Sequence, residues 1–281
     1  MSYSKIKSYA KLNLALNIVG KTNSLHRIES IISFINLYDL IKIKKIKSKK
    51  HVIRFYGKFS KNIKKKNTIS KLLEILEKKK ILKNQKFQII VNKYIPNKAG
   101  LGGGSMNAAS ILKFLMKKKF IKIKKKEIEN ISNLVGSDVI LGINQKNAIL
   151  NSKNKVVYFN NIKKFYPLVV KPNFGCSTKD IYAGVKKFHK VILNQANKKM
   201  FSFDFLKTMK NDLEDVALFK YPKLKIIKSY LENSSDPAFV RMTGSGSALV
   251  AYFQTKKRCE LAKKRFNRNY KNYWCIASKT I

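Results

Sequence analysis

Between Pro96 and Ser110 the chain reads PNKAGLGGGSMNAAS. Four of its 12 glycines, Gly100, Gly102, Gly103 and Gly104, fall within five residues there. Bare backbone at successive positions lets a chain adopt positive φ or approach another group closely. Ser105 then brings a hydroxyl to the place where a helix is expected to start. A helix N-terminus presents unpaired N–H groups and about half a positive charge, so such a bend suits phosphate oxygens. Pro96, Lys98, Ala99 and Leu101 complete the loop. A tight strand-to-helix turn without a ligand is the other reading of these glycines. Two common phosphate motifs do not fit. No lysine follows the glycines as a Walker A loop requires, and Ser105 stands where a dinucleotide fingerprint places its third glycine. The catalytic signatures of protein kinases are absent as well.

Asp138 follows Gly136-Ser137 and leads into the apolar run VILGI. An unpaired charge is costly to bury, so an aspartate there needs a partner, or else caps a turn. Lys11 interrupts the apolar alternation of YAKLNLALNIVG, and Asn13, two residues on, shares its face of a strand. TGSG, Thr243–Gly246, lies between two expected strands, as a plain hairpin turn or as a second loop of backbone amides. Phosphoryl transfer asks a protein for positioning, charge neutralisation and a group that guides the attacking hydroxyl. One carboxylate, one lysine and a magnesium ion satisfy that.

The elements that must hold these residues follow from periodicity. Residues 5–20 alternate as a strand that stops at Gly20, residues 28–47 read as one or two strands around Asp39, and HVIRFYG is a short strand. NTISKLLEILEKKKIL is a helix with Ile69, Leu72, Leu73, Leu76 and Ile81 on one face and Thr68 able to cap it. KFQIIVNKYIP is a strand closed by Pro96, followed by the glycine loop and a helix over 105–118. A helix at KKEIENISNLVG and a hairpin at AILNSKNKVVYF complete a first half. From Tyr166 come a strand, a helix at STKDIYAGVKKF, largely helical residues 202–233, the pair of strands around TGSG, the helix KKRCELAKKRF and a last strand. The pattern is α+β in two halves, with a boundary near 157–165.

Composition narrows the class. With 281 residues, 44% of them hydrophobic, the chain can bury a sizeable core. No apolar run reaches the roughly 18–20 residues of a membrane span, and the N-terminal stretch is a poor signal peptide, so a soluble, cytoplasmic protein is expected. Cys176, Cys259 and Cys275 are odd in number and widely spaced, which argues against a disulfide or metal framework. The net charge of +46 comes from lysines spread over the whole length. Abundant Ile and Asn accompany them, as in an A/T-rich genome, and no interleaving of Arg with aromatics marks a base-stacking groove. Attraction of anionic substrates is the expected consequence, with binding of nucleic acid as the rival.

The glycine segment resembles the second motif of the GHMP kinases, PxxxGLGSSxA. YAKLNLALNIVGKTNSLHRIESI resembles that family's AKLNL…GYHEL opening, LVGSDV its GADVP stretch, and RMTGSGSALV its third motif. The resemblance runs from Ala10 to about Phe253, with four motifs in order. It implies an N-terminal ATP-binding domain of the ribosomal-S5-domain-2 type over 1–160, a C-terminal ferredoxin-like α/β domain over 161–281, and an active site in the cleft between them. It implies ATP as donor, phosphates over Gly100–Ser105, and magnesium held mainly by those phosphates with help from Ser105. Within the family the glycine pattern is most similar to the branch that phosphorylates the 2-hydroxyl of a cytidine diphosphate methylerythritol, a step toward isoprenoid precursors. Asp138 is then the group that guides the hydroxyl, and Lys11 the charge that keeps it ionised. Asn13 and His26 bind substrate, and Tyr182 covers one face of the cytosine. Leu25 stands where the family has a tyrosine on the other face, and Ser24 where it has glycine. Asn67 matches an asparagine near the adenine, though helix capping explains it equally. Thr243 and Gly244 lie beside the phosphates. NDLE, Asn211–Glu214, recurs in the family without an assigned role. A kinase for homoserine, mevalonate or a sugar, and a degenerate enzyme, stay open. The expected partner is a small molecule, with no specific nucleic acid and no membrane, on a monomer or homodimer.

Overall fold

The computed structural model describes residues 2–22, 26–234 and 236–281, and the chain divides into two compact units woven from interleaved segments. The first takes Met1–Ala10, Leu37–Pro96 and Gly102–Gln145; the second takes Lys11–Asn36, Asn97–Leu101 and Lys146–Ile281. Two long strands, β1 (Ser4–Lys21) and β2 (His26–Ile46), pair with each other and run through both units.

In the first unit, β3 (Val52–Tyr56) lies parallel to β4 (Lys86–Asn92), which pairs antiparallel with the C-terminal half of β2, Ile41 opposite Val91 and Ile43 opposite Ile89. Alternation along β4 buries Phe87, Ile89 and Val91. Against them pack α1 (Thr68–Lys78), α2 (Gly103–Lys117), α3 (Lys125–Val135) and the single turn α4 (Val139–Gly142). The apolar face of α1, Ile69, Leu72, Leu73 and Leu76, is buried, as its spacing requires. The residue that caps α1 is Asn67 and not Thr68. Asn67 Oδ1 accepts from the N–H groups of Ile69 and Ser70, and the Ser70 hydroxyl accepts from the N–H of Asn67 in return.

In the second unit, the N-terminal half of β2 pairs with β5 (Asn147–Leu150), and β5 with β6 (Val156–Phe159). A separate antiparallel sheet is built from residues C-terminal to 160. Its order is β10 (Trp274–Ala277), β7 (Tyr166–Lys171), β9 (Leu249–Phe253), β8 (Phe239–Met242). Leu168, Val170, Leu249, Ala251 and Phe253 meet buried residues of α7 (Glu214–Lys220), α8 (Pro222–Ser234) and α9 (Lys256–Asn269). Before these helices come α5 (Thr178–Ala183), a 3₁₀ turn at Lys198–Phe201 and α6 (Phe203–Thr208).

The expected helix over STKDIYAGVKKF stops at Ala183. Gly184 packs tightly there, since a Cβ on it would lie 2.5 Å from Val216 Cγ1. Farther on, the His189 N–H donates to the Ile18 carbonyl at 2.8 Å, outside any helix.

Candidate active site

The glycine loop is divided between the units after Leu101. In the second unit, four successive carbonyls are turned into the protein. The Lys98 oxygen accepts from the N–H of Ser247, Ala99 from that of Ala248, and Leu101 from that of Lys11, at 3.2, 3.4 and 3.1 Å. The Gly100 oxygen accepts from the Thr243 hydroxyl at 3.3 Å. Gly100 has φ +70°, and a Cβ there would sit 1.9 Å from the Thr243 carbonyl oxygen, so no other residue fits. The TGSG turn is thereby laced to the glycine loop. In the first unit, Gly102 has φ +68° and precedes α2, which starts at Gly103, two residues before the expected Ser105. The first N–H groups of a helix have no intrahelical acceptor. A Cβ on Gly103 would lie 3.0 Å from Ile95 Cγ2, and the Gly104 carbonyl accepts from the Thr68 hydroxyl at 2.7 Å. With carbonyls turned inward and amides starting a helix, the bend has the polarity of an anion cradle.

Asp138 immediately precedes α4. That turn lies on α2, because a Cβ on Gly142 would meet Ala109 Cβ at 2.7 Å and the Met106 sulfur at 2.9 Å. At its other end, a Cβ on Gly136 would stand 3.8 Å from the Ser105 hydroxyl. The half-buried Asp138 is thus held on a segment that borders the first turn of α2, 33 positions after Ser105 in a chain whose spacing does not foretell it.

Lys11 is buried in the second unit, and its ammonium donates to Asn13 Oδ1, as their shared strand face predicts. The Asn13 N–H donates to the Thr243 hydroxyl at 3.0 Å, and Asn13 Nδ2 to the Ser30 hydroxyl at 2.7 Å. His26 and Tyr182 are brought together, ring centroids 5.2 Å apart and planes tilted by 43°. Burial, and then the charge of Lys21, push the His26 imidazole below its usual pKa. Leu25 and Ser24 lie outside the described residues. Asn67 has both ends of its amide engaged at the start of α1, Nδ2 donating to the carbonyls of Lys64 and Lys65. Among the described residues no group of three or more His, Cys, Asp and Glu side chains is assembled for a metal ion. The three cysteines are free, and burial pushes the thiols of Cys176 and Cys275 up to about 11 and that of Cys259 up to about 12.

Two groups of supporting residues escaped the sequence reading. In NDLE, Asn211 Nδ2 donates to the carbonyls of Met242 and Gly244 at 2.7 and 2.8 Å, and the Glu214 carboxylate accepts from the Met242 N–H. This motif fixes the turn that holds Gly100. In the first unit, the fully buried Asp39 accepts from the N–H groups of Tyr94 and Ile95 at 2.8 and 2.9 Å, from Asn107 Nδ2 at 2.9 Å, and from the Lys93 ammonium. Ile95 precedes the glycine loop and Asn107 follows it on α2, so one carboxylate ties the loop's two ends.

The family described as GHMP kinases N terminal domain matches residues 67–149, which hold the whole glycine loop and Asp138. A crystal structure of 4-(cytidine 5'-diphospho)-2C-methyl-D-erythritol kinase superposes with a TM-score of 0.77 at 19% identity, covering 99% of this chain and 100% of that one. The mevalonate kinase of L. major superposes with a TM-score of 0.73 at 13% identity, covering 99% and 97% of the two chains. The fold is that of the GHMP kinases. Sequence relatives resolve it further. The 4-diphosphocytidyl-2-C-methyl-D-erythritol kinase of Pelagibacter ubique is 58% identical over the full length of both chains. That of Clostridium botulinum (strain Loch Maree / Type A3) is 33% identical over 94% of this chain and 96% of its own. The chain belongs to the family of 4-diphosphocytidyl-2-C-methyl-D-erythritol kinases.

Proposed function

We propose that the chain transfers the γ-phosphoryl group of ATP to the 2-hydroxyl of 4-diphosphocytidyl-2-C-methyl-D-erythritol, giving the 2-phosphate and ADP on the non-mevalonate route to isoprenoid precursors. The observation that supports this most is the border between the first turn of α2 and the segment that carries Asp138, Gly136 lying against the Ser105 hydroxyl. The full-length match at 58% identity supports the choice of alcohol.

The triphosphate lies over the backbone of Gly100–Ser105, with Pro96, Lys98, Ala99 and Leu101 shaping the loop and Thr243 and Gly244 backing it. Asp138 accepts a hydrogen bond from the attacking hydroxyl and orients it. The hydroxyl oxygen forms the new P–O bond, the bond to the bridging oxygen of ADP breaks, and the proton passes late to the Asp138 carboxylate, in keeping with a loose transition state. The Lys11 ammonium, steadied by Asn13, stabilises the developing negative charge. No phosphoenzyme forms. His26 and Tyr182 hold the cytosine, with Leu25 next to His26 in sequence, and Asn67 acts near the adenine through the helix start that it caps. Magnesium fits as an ion carried by the ATP phosphates with help from the Ser105 hydroxyl, since among the described residues no group of three or more His, Cys, Asp and Glu side chains is assembled for it, and it neutralises phosphate charge when bound. The protein works in the cytoplasm as a monomer or homodimer; its three cysteines are free, as a reducing compartment keeps them.

Asp138→Ala tests the assignment. Turnover of the cytidylated erythritol falls at least about a thousandfold while ATP affinity, measured by calorimetry, stays within about twofold. Near-normal turnover in that variant removes Asp138 from the mechanism.

A further inference from the structure

Phe188 lies in the irregular segment between α5 and the 3₁₀ turn, and its ring is 50% exposed. Its centroid is 6.4 Å from that of His26, at an interplanar angle of 59°, so two aromatic rings, Phe188 and Tyr182, meet the one imidazole. Irregular segments carrying an exposed aromatic are ordinarily loose, and this one is fastened directly after Phe188. The His189 N–H donates to the Ile18 carbonyl at 2.8 Å, and its Nδ1 lies 2.6 Å from Oδ2 of Asp212. Farther on, the N–H groups of Ile192 and Leu193 donate to Oε2 of the fully buried Glu29, at 2.9 and 3.1 Å. Glu29 stands three residues after His26 on β2, so the strand that carries the imidazole also anchors the segment that carries Phe188.

We propose that Phe188 is a specificity residue of the substrate site, an aromatic wall on which the pyrimidine ring of a cytidine diphosphate compound stacks, in a chain whose residue 25 is aliphatic. The inference rests on the proposed function and adds a residue to it. A flat heterocycle stacks on an aromatic face with little dependence on its edge, and a fixed loop loses little conformational freedom on binding. The exposed Lys186, Lys187 and Lys190 flank Phe188 and match the diphosphate in charge. Base and diphosphate are thus served by one short segment, VKKFHK. The imidazole, held neutral at pH 7 by its lowered pKa, offers the base edge one donor and one acceptor.

The test compares wild type, Phe188→Ala and Phe188→Tyr. CDP is the binding probe in calorimetry, and initial rates give KM for the cytidylated erythritol and for ATP. For Phe188→Ala, CDP affinity falls and KM for the alcohol substrate rises, each about tenfold, the loss expected from removing one stacked ring. Its kcat, its KM for ATP and its melting temperature stay near those of wild type, and Phe188→Tyr restores CDP affinity to within about twofold. Phe188→Ala with unchanged CDP affinity, in a wild type that binds CDP and turns over the substrate, overturns the stacking role and leaves the proposed function standing. A loss shared equally by KM for ATP and by melting temperature assigns Phe188 to folding, and a change in sedimentation assigns it to a contact between copies. Either result overturns the proposal. A wild type that neither binds CDP nor phosphorylates the cytidylated alcohol overturns the proposed function together with the inference.

Discussion

Gly100 has room for a hydrogen and nothing larger, and its positive φ would strain any side chain. Single residues of this kind announce themselves in a sequence, because residue type and backbone conformation are tied through sterics. His26 shows a different residue-scale property, one set by surroundings. Burial first and the charge of Lys21 second lower its pKa from an ordinary value of about 6.5. The neutral ring therefore predominates at pH 7, and half-protonation, with loss of its acceptor, is reached only below about 6.5. KM for the cytidylated substrate should accordingly change little between about pH 8 and 7 and climb as pH falls below about 6.5, as initial rates across that range will show. His26→Gln, which cannot take up a proton there, should abolish the climb. Asn67 illustrates the converse: its residue type signals a cap as plainly as a ligand, and the structure shows the cap.

At the scale of elements, the glycine loop is a bend whose ends are tied by Asp39. Replacing that carboxylate by an amide leaves the buried Lys93 ammonium without its counter-charge, a loss on the order of 3–5 kcal/mol for a buried pair. Asp39→Asn should lower the melting temperature and raise KM for ATP about tenfold, with KM for the alcohol substrate changed less than about twofold. Thermal melts and initial rates on the full chain measure both. The strands and helices that flank the loop were readable in the sequence because each carries its own period: Phe87, Ile89 and Val91 alternate along β4, and Ile69, Leu72, Leu73 and Leu76 line α1. Asp39 was not, since its partners stand 54 to 68 positions away and a lone aspartate in a strand has no local pattern. The segment after α5 has a helix-like sequence but is irregular, for the same reason. Its order comes from Glu29, 163 and 164 positions distant, and from Asp212. NDLE repeats a family sequence, yet only the fold shows Asn211 fixing the TGSG turn.

For the molecule as a whole, the two units draw on alternating stretches of the chain, and one change from unit to unit falls within the glycine loop itself, after Leu101. The sequence halves, read as residues before and after about 160, capture the separate sheet of β7 to β10. They do not capture the return of residues 11–36 and 97–101 to the second unit, which depends on long-range pairing such as Leu16 with Asn211. The charge of +46 is likewise a property of the whole, spread over every stretch of the chain. It favours encounter with anionic substrates without choosing among them, because long-range fields are screened and carry no shape. Choice of alcohol must therefore come from the site, and one measurement reaches it directly: ADP release by the intact protein with ATP and, in turn, 4-diphosphocytidyl-2-C-methyl-D-erythritol, mevalonate and homoserine. Rapid turnover of the cytidylated erythritol is expected, with kcat/KM at least about a thousandfold above either competitor, a margin that pocket hydrogen bonds to a base can provide. Turnover of mevalonate or homoserine at comparable efficiency, or none of the cytidylated alcohol, would contradict it.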